Sequence, residues 1–305
     1  MKKICIVGST GYIGSHLCQY LKKDFHIIAC SRKKINNFLF NQNIKDFVYG
    51  DVNRHEIIDK IIKLKPNTII YTISLNHFDS EISLTNSLHV NVAPFLYLLN
   101  KIKEKQLNTK IIYFSTMQVY GREYKKKIIN EKYPKKLNNI YSLTHSMCED
   151  ALISQKQFFN FSILRLSNAF GSPIFPNKNV WWPVLNDICK MAKKNGVIKL
   201  QSDGSALRDF ISLNNIGLFI KKLIEAKNVN NEIIHLCSGK TFSILDVAKK
   251  VSKNYFFDTP IPIKKKKNFK KKNYKFRYDN SRMKKYLSNY NFSTQKEIYQ
   301  FLSKI

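Results

Sequence analysis

The chain has 305 residues, and 52 Lys+Arg against 21 Asp+Glu give it a formal net charge of +31. A composition that is 44% hydrophobic and 13% aromatic excludes a disordered polycation, and no run approaches the roughly 18 apolar residues of a membrane span. The lysines are scattered over most of the chain, which favours a solvated basic surface over a nucleic-acid or membrane patch.

Met1-Lys2-Lys3 and the apolar residues 4–7 imitate the start of a signal peptide, but Gly8 ends the run, short of the roughly 7 residues such a core needs. The six cysteines (Cys5, Cys18, Cys30, Cys148, Cys189 and Cys237) are far apart, with no C-x-x-C pair and no His/Cys cluster. They read as reduced core residues of a cytoplasmic protein with no metal site.

In chain order, short apolar runs predict strands at 4–7, 27–30, 47–49, 68–71, 110–114 and 162–165. Helical periodicity predicts helices at 12–22, 55–64, 87–105 and 140–156. That alternation is the pattern of an α/β, doubly wound parallel Rossmann sheet, whose ligands sit at the carboxyl ends of the strands. After Arg165 the pattern becomes irregular through Gly171, Pro173, Pro176 and Pro183, then gives a helix at 184–194, a helix at 214–226 and a strand at 233–236. The expected division is a Rossmann domain of residues 1–166 completed by 212–238, with 167–211 and 239–305 forming a smaller, discontinuous substrate-binding lobe. The tail carries a lysine run over 264–272, with Phe269, Tyr274 and Phe276 interleaved. Those aromatics either stack on bases or anchor the loop.

Gly8-Ser9-Thr10-Gly11-Tyr12-Ile13-Gly14 follows the first strand and opens the first helix. Glycine suits this place because the backbone must turn sharply, approach a pyrophosphate and pack helix on sheet, with the helix N-terminus facing the anion. Gly8, Thr10, Gly11, Tyr12, Ile13 and Gly14 are therefore candidate cofactor-binding residues. The G-x-x-G-x-x-G spacing resembles the extended short-chain dehydrogenase/reductase family, whose members epimerise, dehydrate or reduce nucleotide sugars. Where its NAD-binding members end the second strand in an acid, this chain has Ser31-Arg32-Lys33-Lys34. A hydroxyl donor and a planar guanidinium suit a 2′-phosphate, so Ser31 and Arg32 favour NADP, with NAD possible. Asp51 and Val52 stand at the family's adenine-contacting turn.

Ser115-Thr116-Met117-Gln118-Val119-Tyr120-Gly121 is similar to the family's Ser-Ser/Thr-x-x-Val-Tyr-Gly segment. The resemblance makes Thr116 the hydroxyl that hydrogen-bonds the reacting substrate oxygen. The family's dehydratases have Asp and Glu at the next two positions, and Met117 and Gln118 cannot act as acid and base. Tyr141-Ser142-Leu143-Thr144-His145 stands where the family has Tyr-x-x-x-Lys. Residues four apart share a helix face, so Tyr141, the proton donor or acceptor, and His145 can point the same way. The lysine's charge normally lowers the tyrosine's pKa from about 10, whereas histidine, near 6.5, is only partly charged at neutral pH. In the family the residue at position 145 faces the nicotinamide ribose, and three readings follow: His145 hydrogen-bonds that ribose and is a weaker cation, giving turnover that falls as pH rises through the imidazole pKa; another lysine reaches the spot; or the chain binds cofactor without chemistry.

Downstream, the 165–171 segment looks like the family's Arg-x-x-Asn-x-x-Gly and places Asn168 at the substrate. Gly204 to Ile211 matches Gly-x-x-x-Arg-Asp-Phe-Ile and makes Arg208 the diphosphate clamp, with Asp209 orienting it or capping the turn. Asn214 preserves the following helix cap, and Asp279 to Arg282 resembles the start of the family's last helix. The implied function is NAD(P)-dependent reduction of a 4-keto nucleotide sugar, with 4-epimerisation as the alternative. The implied partners are a nucleotide sugar and a second copy of the chain in a homodimer, with no nucleic acid and no membrane.

Overall fold

The computed structural model describes residues 1–34, 37–121, 124, 127–175, 180–226, 231–266, 275–287 and 293–305. Its strands are β1 Lys3–Val7, β2 His26–Ser31, β3 Asp46–Tyr49, β4 Thr68–Tyr71, β5 Lys110–Thr116, β6 Ile128–Ile129, β7 Asn160–Leu166, β8 Asn168–Phe170, β9 Ile198–Leu200, β10 Leu207–Ser212, β11 Glu232–Leu236, β12 Thr241–Ser243, β13 Ile263–Lys265 and β14 Arg277–Tyr278. The helices are α1 Tyr12–Leu21, α2 Phe38–Asn41, α3 His55–Lys63, α4 His77–Ile82, α5 Leu84–Ser87, α6 Ala93–Glu104, α7 Ile140–Ser154, α8 Val184–Asn195, α9 Leu213–Glu225, α10 Ile244–Ser252, α11 Ser281–Tyr286 and α12 Thr294–Leu302. None of the described helices is long and apolar enough to cross a membrane.

The central sheet has seven strands in the order β11-β7-β5-β4-β1-β2-β3, and its neighbours β7-β5, β5-β4, β4-β1, β1-β2 and β2-β3 all pair in parallel. This is the doubly wound arrangement expected from the alternation, and the strand order reverses between β1 and β4, the place where such sheets bind ligands. The inner strands β1, β4 and β5 are buried apolar runs because helices cover the sheet, whereas edge strand β3 is half-buried. Cys5, Val7, Ile28, Ile69, Ile111 and Ile163 meet the apolar faces of α3 and α6 in one core. The expected helix over 87–105 instead comprises α5, a π-helical turn at Leu88–Val92 and α6, with Pro94 in the first turn of α6, where its missing N–H costs nothing.

The chain divides into two compact units. The first comprises Met1–Glu123, Glu131–Leu166 and Gly217–Ile234; the second comprises Tyr124–Asn130, Ser167–Ile216 and His235–Ile305. The second unit has its own core, in which Leu185, Ile188 and Cys189 of α8 pack with Val247 and Val251 of α10 and Ile298 and Phe301 of α12. A helix does begin at Ser281, but α12 follows it, so it is not the last. The cap of α9 comes from Ser212, whose Oγ accepts from the Asn215 N–H at 3.2 Å, rather than from Asn214. Phe276 lies 4.2 Å from Tyr124 ring to ring, and Tyr124 also meets Tyr278. That aromatic therefore anchors its segment within the second unit. Pro176, Phe269, Tyr274 and lysines 267 and 270–272 lie outside the described residues.

Candidate active site

The glycine loop joins β1 to α1. Gly8 sits at φ +95°, and a Cβ there would lie 2.6 Å from Thr72 Oγ1; a Cβ on Gly14 would lie 2.1 Å from the Gly8 carbonyl oxygen. The loop is held to β2 by the N–H groups of Gly8 and Ser9, both donating to the Cys30 carbonyl, and by Ser9 Oγ donating to the same oxygen at 2.9 Å. Gly11 is the N-cap of α1 and supplies no side-chain cap; its own N–H donates to the Gly8 carbonyl at 2.9 Å and closes the turn, so the amides that follow it, of Tyr12 and Ile13, stand at a helix start of the kind that binds phosphate, with Thr10 in the turn before them. These residues fit a dinucleotide. Gly14→Ala should weaken dinucleotide binding severely and lower stability by roughly 1–3 kcal/mol through overpacking; a fluorescence titration with NADPH and a thermal melt check both.

At the end of β2, Arg32 is exposed, while Ser31 is buried. Ser31 Oγ donates to the Lys33 carbonyl at 2.8 Å, so the hydroxyl proton expected to meet a 2′-phosphate is used within the protein. Asp51 Oδ1 accepts from the N–H of Asn53 at 3.0 Å, shaping the turn after β3 beside buried Val52.

Strand β5 delivers Thr116 and helix α7 delivers Tyr141, and the two side chains are hydrogen-bonded. Thr116 Oγ1 also accepts from the Gln118 N–H at 3.2 Å. The start of α7 is held by Asn139 Oδ1, which accepts from the Ser142 N–H, and by Glu81 Oε1, which accepts from Ile140 N–H at 2.8 Å and Tyr141 N–H at 3.3 Å. His77, Glu81, Asn138 and Asn139 line a cavity of about 280 Å³ beside it. Burial pushes the Tyr141 phenol up to about 12, against the lowering effect of the Thr116 bond.

His145 is on the same helix face, its ring 4.6 Å from that of Tyr141, and is 3% exposed. Tyr113 Oη lies 2.9 Å from Nδ1 and Ser74 Oγ 3.2 Å from Nε2. Desolvation pulls the imidazole down to about 4, only partly opposed by the Glu149 carboxylate. The reading of His145 as a weaker cation therefore gives way to a neutral imidazole, because a buried ring whose charge nothing nearby needs stays unprotonated. Lys135, the lysine held against α7, is bound to Ser146 Oγ, Asp150 Oδ1 and Glu149 Oε2 and does not supply the charge.

Below the site, buried Glu149 pairs in two-pronged fashion with Arg165, Oε1 to Nε at 3.0 Å and Oε2 to Nη2 at 2.7 Å, and accepts from Ser115 Oγ at 2.6 Å. Arg165 Nη1 donates to Tyr120 Oη and to the Glu131 carbonyl. Burial alone would raise the carboxyl, but Arg165, then Lys135 and Ser115, bring it below its ordinary value. Ser74, Tyr113, Glu81 and Glu149 join the site without belonging to any of the motifs above. Of these, only Glu149 carried a signal, standing one helical turn beyond His145.

In the second unit, β8 and β10 pair in parallel with Phe210 opposite Asn168, which brings Asn168 and Arg208 onto neighbouring strands. Asn168 Nδ2 donates to the Asp209 carbonyl and Arg208 Nη1 to the Leu207 carbonyl, each at 2.8 Å. Asp209 does not orient Arg208. Its buried carboxylate accepts from Ser167 Oγ, from the Ser238 N–H and Oγ, and from the Lys240 N–H, so it ties the 238–240 turn to β10. Burial raises it to about 6, with those donors opposing the rise.

A doubly wound sheet, a glycine loop at its switch point and a Thr/Tyr pair at the mouth of β5 define the nucleotide-binding α/β oxidoreductase class. Residues 4–237 match the model of the NAD dependent epimerase/dehydratase family. The chain belongs to that family. It is 27% identical over 278 residues to a dTDP-D-glucose 4,6-dehydratase of Dictyostelium discoideum, covering 82% of this chain and 62% of that protein. It is 25% identical to a GDP-6-deoxy-D-talose 4-dehydrogenase of Aggregatibacter actinomycetemcomitans, covering 80% of this chain and 77% of that one. The UDP-glucose 4-epimerase of Thermotoga maritima, solved with UDP-glucose, has the same fold, with a TM-score of 0.83 at 17% identity over 99% of this chain and 97% of that one.

Proposed function

We propose that the chain reduces a 4-keto nucleotide sugar with NADPH, and that Tyr141 is the proton donor. The observation that carries this is the buried His145, its ring 4.6 Å from that of Tyr141 and its two nitrogens taken by Tyr113 and Ser74, which leaves no cation against a phenol that burial raises to about 12. Such a phenol keeps its proton at neutral pH. It can give that proton to an oxygen gaining charge but is a poor base for taking one from an alcohol. An epimerase needs the same tyrosine to do both, whereas a reductase needs only the donation.

Bound nicotinamide dinucleotide supplies the hydride. Thr116 would steady the carbonyl oxygen by hydrogen bonding, while Asn168 and Arg208 would bind the nucleotide sugar, Arg208 through its diphosphate. Met117 is buried and Gln118 Oε1 accepts from Asn139 Nδ2, leaving no acid–base pair for dehydration at those positions. The name of one relative, a GDP-6-deoxy-D-talose 4-dehydrogenase, fits redox chemistry at the same carbon. Exposed Arg32 and the absence of an acid at the β2 end favour NADP. The reading includes a cytoplasmic homodimer: Leu143 and Met147, one turn apart on α7, and Leu96 on the adjacent α6 are apolar and 37%, 39% and 41% exposed.

The test is NADPH oxidation with a nucleotide 4-keto-6-deoxy sugar. Because His145 charges only near 4 and Tyr141 loses its proton only near 12, the rate should stay level through the ordinary histidine range. His145→Lys, by lowering the phenol's pKa, should introduce a fall as pH rises. Conversion of an unreduced nucleotide hexose to its epimer without added cofactor would overturn the choice of reduction.

A further inference from the structure

His145 commits both ring nitrogens within the protein. Ser74 Oγ has one proton and donates it to the Leu75 carbonyl at 2.8 Å. Across its 3.2 Å contact with His145 it is therefore the acceptor, and Nε2 carries the imidazole proton. Nδ1 is then the acceptor for the Tyr113 hydroxyl at 2.9 Å, whose phenol is held protonated by burial. Cys148, the other neighbour of that hydroxyl, offers only a weak sulfur acceptor.

Three hydrogen bonds thus point one way, from Tyr113 to His145, from His145 to Ser74 and from Ser74 to the Leu75 carbonyl. Aligned donors polarise one another, which makes the last hydroxyl a stronger donor than an isolated serine. That hydroxyl is well placed. Ser74 follows β4 at the carboxyl end of the sheet, and the two residues before it, Thr72 and Ile73, are the ones that crowd Gly8 in the glycine loop. It is half-buried, and its bond to the carbonyl of the very next residue is one that a better-placed acceptor can replace. His145, with no nitrogen to spare, cannot itself make the contact a lysine ammonium would make.

We propose that Ser74 is the hydroxyl that contacts the cofactor ribose in place of the family's lysine, with His145 and Tyr113 as positioning residues that aim its proton. The proposal rests on the reading of residues 8–14 as a dinucleotide loop. Ser74 turns its proton from the Leu75 carbonyl to a ribose hydroxyl oxygen, while Nε2–H of His145 stays on Ser74 Oγ.

The test is equilibrium binding of NADPH and NADH, followed by protein fluorescence, in two backgrounds, with thermal melts confirming that each variant is folded. In the natural chain Ser74→Ala should weaken binding about tenfold, the size of one lost hydrogen bond, and Tyr113→Phe should weaken it by a smaller factor. In His145→Lys the lysine reaches the ribose unaided, so adding either substitution should change nothing. Equal losses in both backgrounds, or no loss in the natural one, would overturn the proposal. Failure of the natural chain to bind either dinucleotide would instead overturn the cofactor reading beneath it. Tyr113→Phe, which leaves the cofactor side untouched, keeps the test decisive if Ser74→Ala does not fold.

Discussion

Tyr141→Phe is expected to lower turnover of a 4-keto nucleotide sugar by about 10²–10⁴-fold, the usual worth of a positioned proton donor, while leaving dinucleotide affinity unchanged. The phenyl ring keeps the packing against His145, whose ring lies 4.6 Å away, and the backbone caps of α7 from Asn139 and Glu81 do not involve the hydroxyl. What disappears is one proton and its hydrogen bond with Thr116. Thr116 would still polarise the carbonyl, so the residual rate should be above background and should not respond to pH in the alkaline range. Steady-state kinetics beside a fluorescence titration separates the two readouts. A variant with normal turnover would remove Tyr141 from the chemistry.

Glu149→Ala is expected to cost about 3–5 kcal/mol of stability, because it leaves the Arg165 guanidinium buried and uncompensated. Arg165 is 2% exposed and would retain only Tyr120 Oη and the Glu131 carbonyl. Glu149→Gln, which keeps hydrogen bonds but not charge, should fall between the two. The sign with pH follows from the lowered carboxyl. Its contribution is complete above the unfolded value near 4.5 and is lost as pH falls through the lower folded value, so urea melts of the natural chain should weaken there more than those of Glu149→Ala. Equal stability of the two proteins at neutral pH would refute this. The same substitution frees Ser115 beside Thr116, so turnover should drop even where the protein remains folded.

The nucleotide half of the fold was legible because buried parallel strands are short apolar runs and their helices keep a clear period: 68–71 was read to the residue and 140–156 to within two. The second unit was not. Strands as brief as β8, β12 and β14 carry no periodicity, and their pairing depends on contacts distant in sequence, such as the Asp209 carboxylate with Ser238 and Lys240. In the site, the candidates legible from a local spacing were the glycine loop, Thr116, and Tyr141 with position 145. The state of His145 was misjudged for a physical reason. Whether an imidazole is charged depends on what surrounds it, and Tyr113 on β5 and Ser74 in the loop after β4 are neighbours that no pattern around 145 could reveal. The surroundings of Ser31 were hidden in the same way, since its burial and its bond to the Lys33 carbonyl are consequences of the turn after β2.

The order of segments in the first unit bears on how the chain is made. Strand β7 ends at Leu166, yet its outer neighbour β11 starts only at Glu232, after the whole of the second unit's middle segment, Ser167–Ile216, has been synthesised. A nascent chain leaving the ribosome therefore carries β7 as an open, apolar edge, with Phe161 and Ile163 next to unpaired backbone, for the whole interval. Such an edge invites pairing with other strands, so that stage of synthesis is one in which the chain is exposed to aggregation and open to a chaperone.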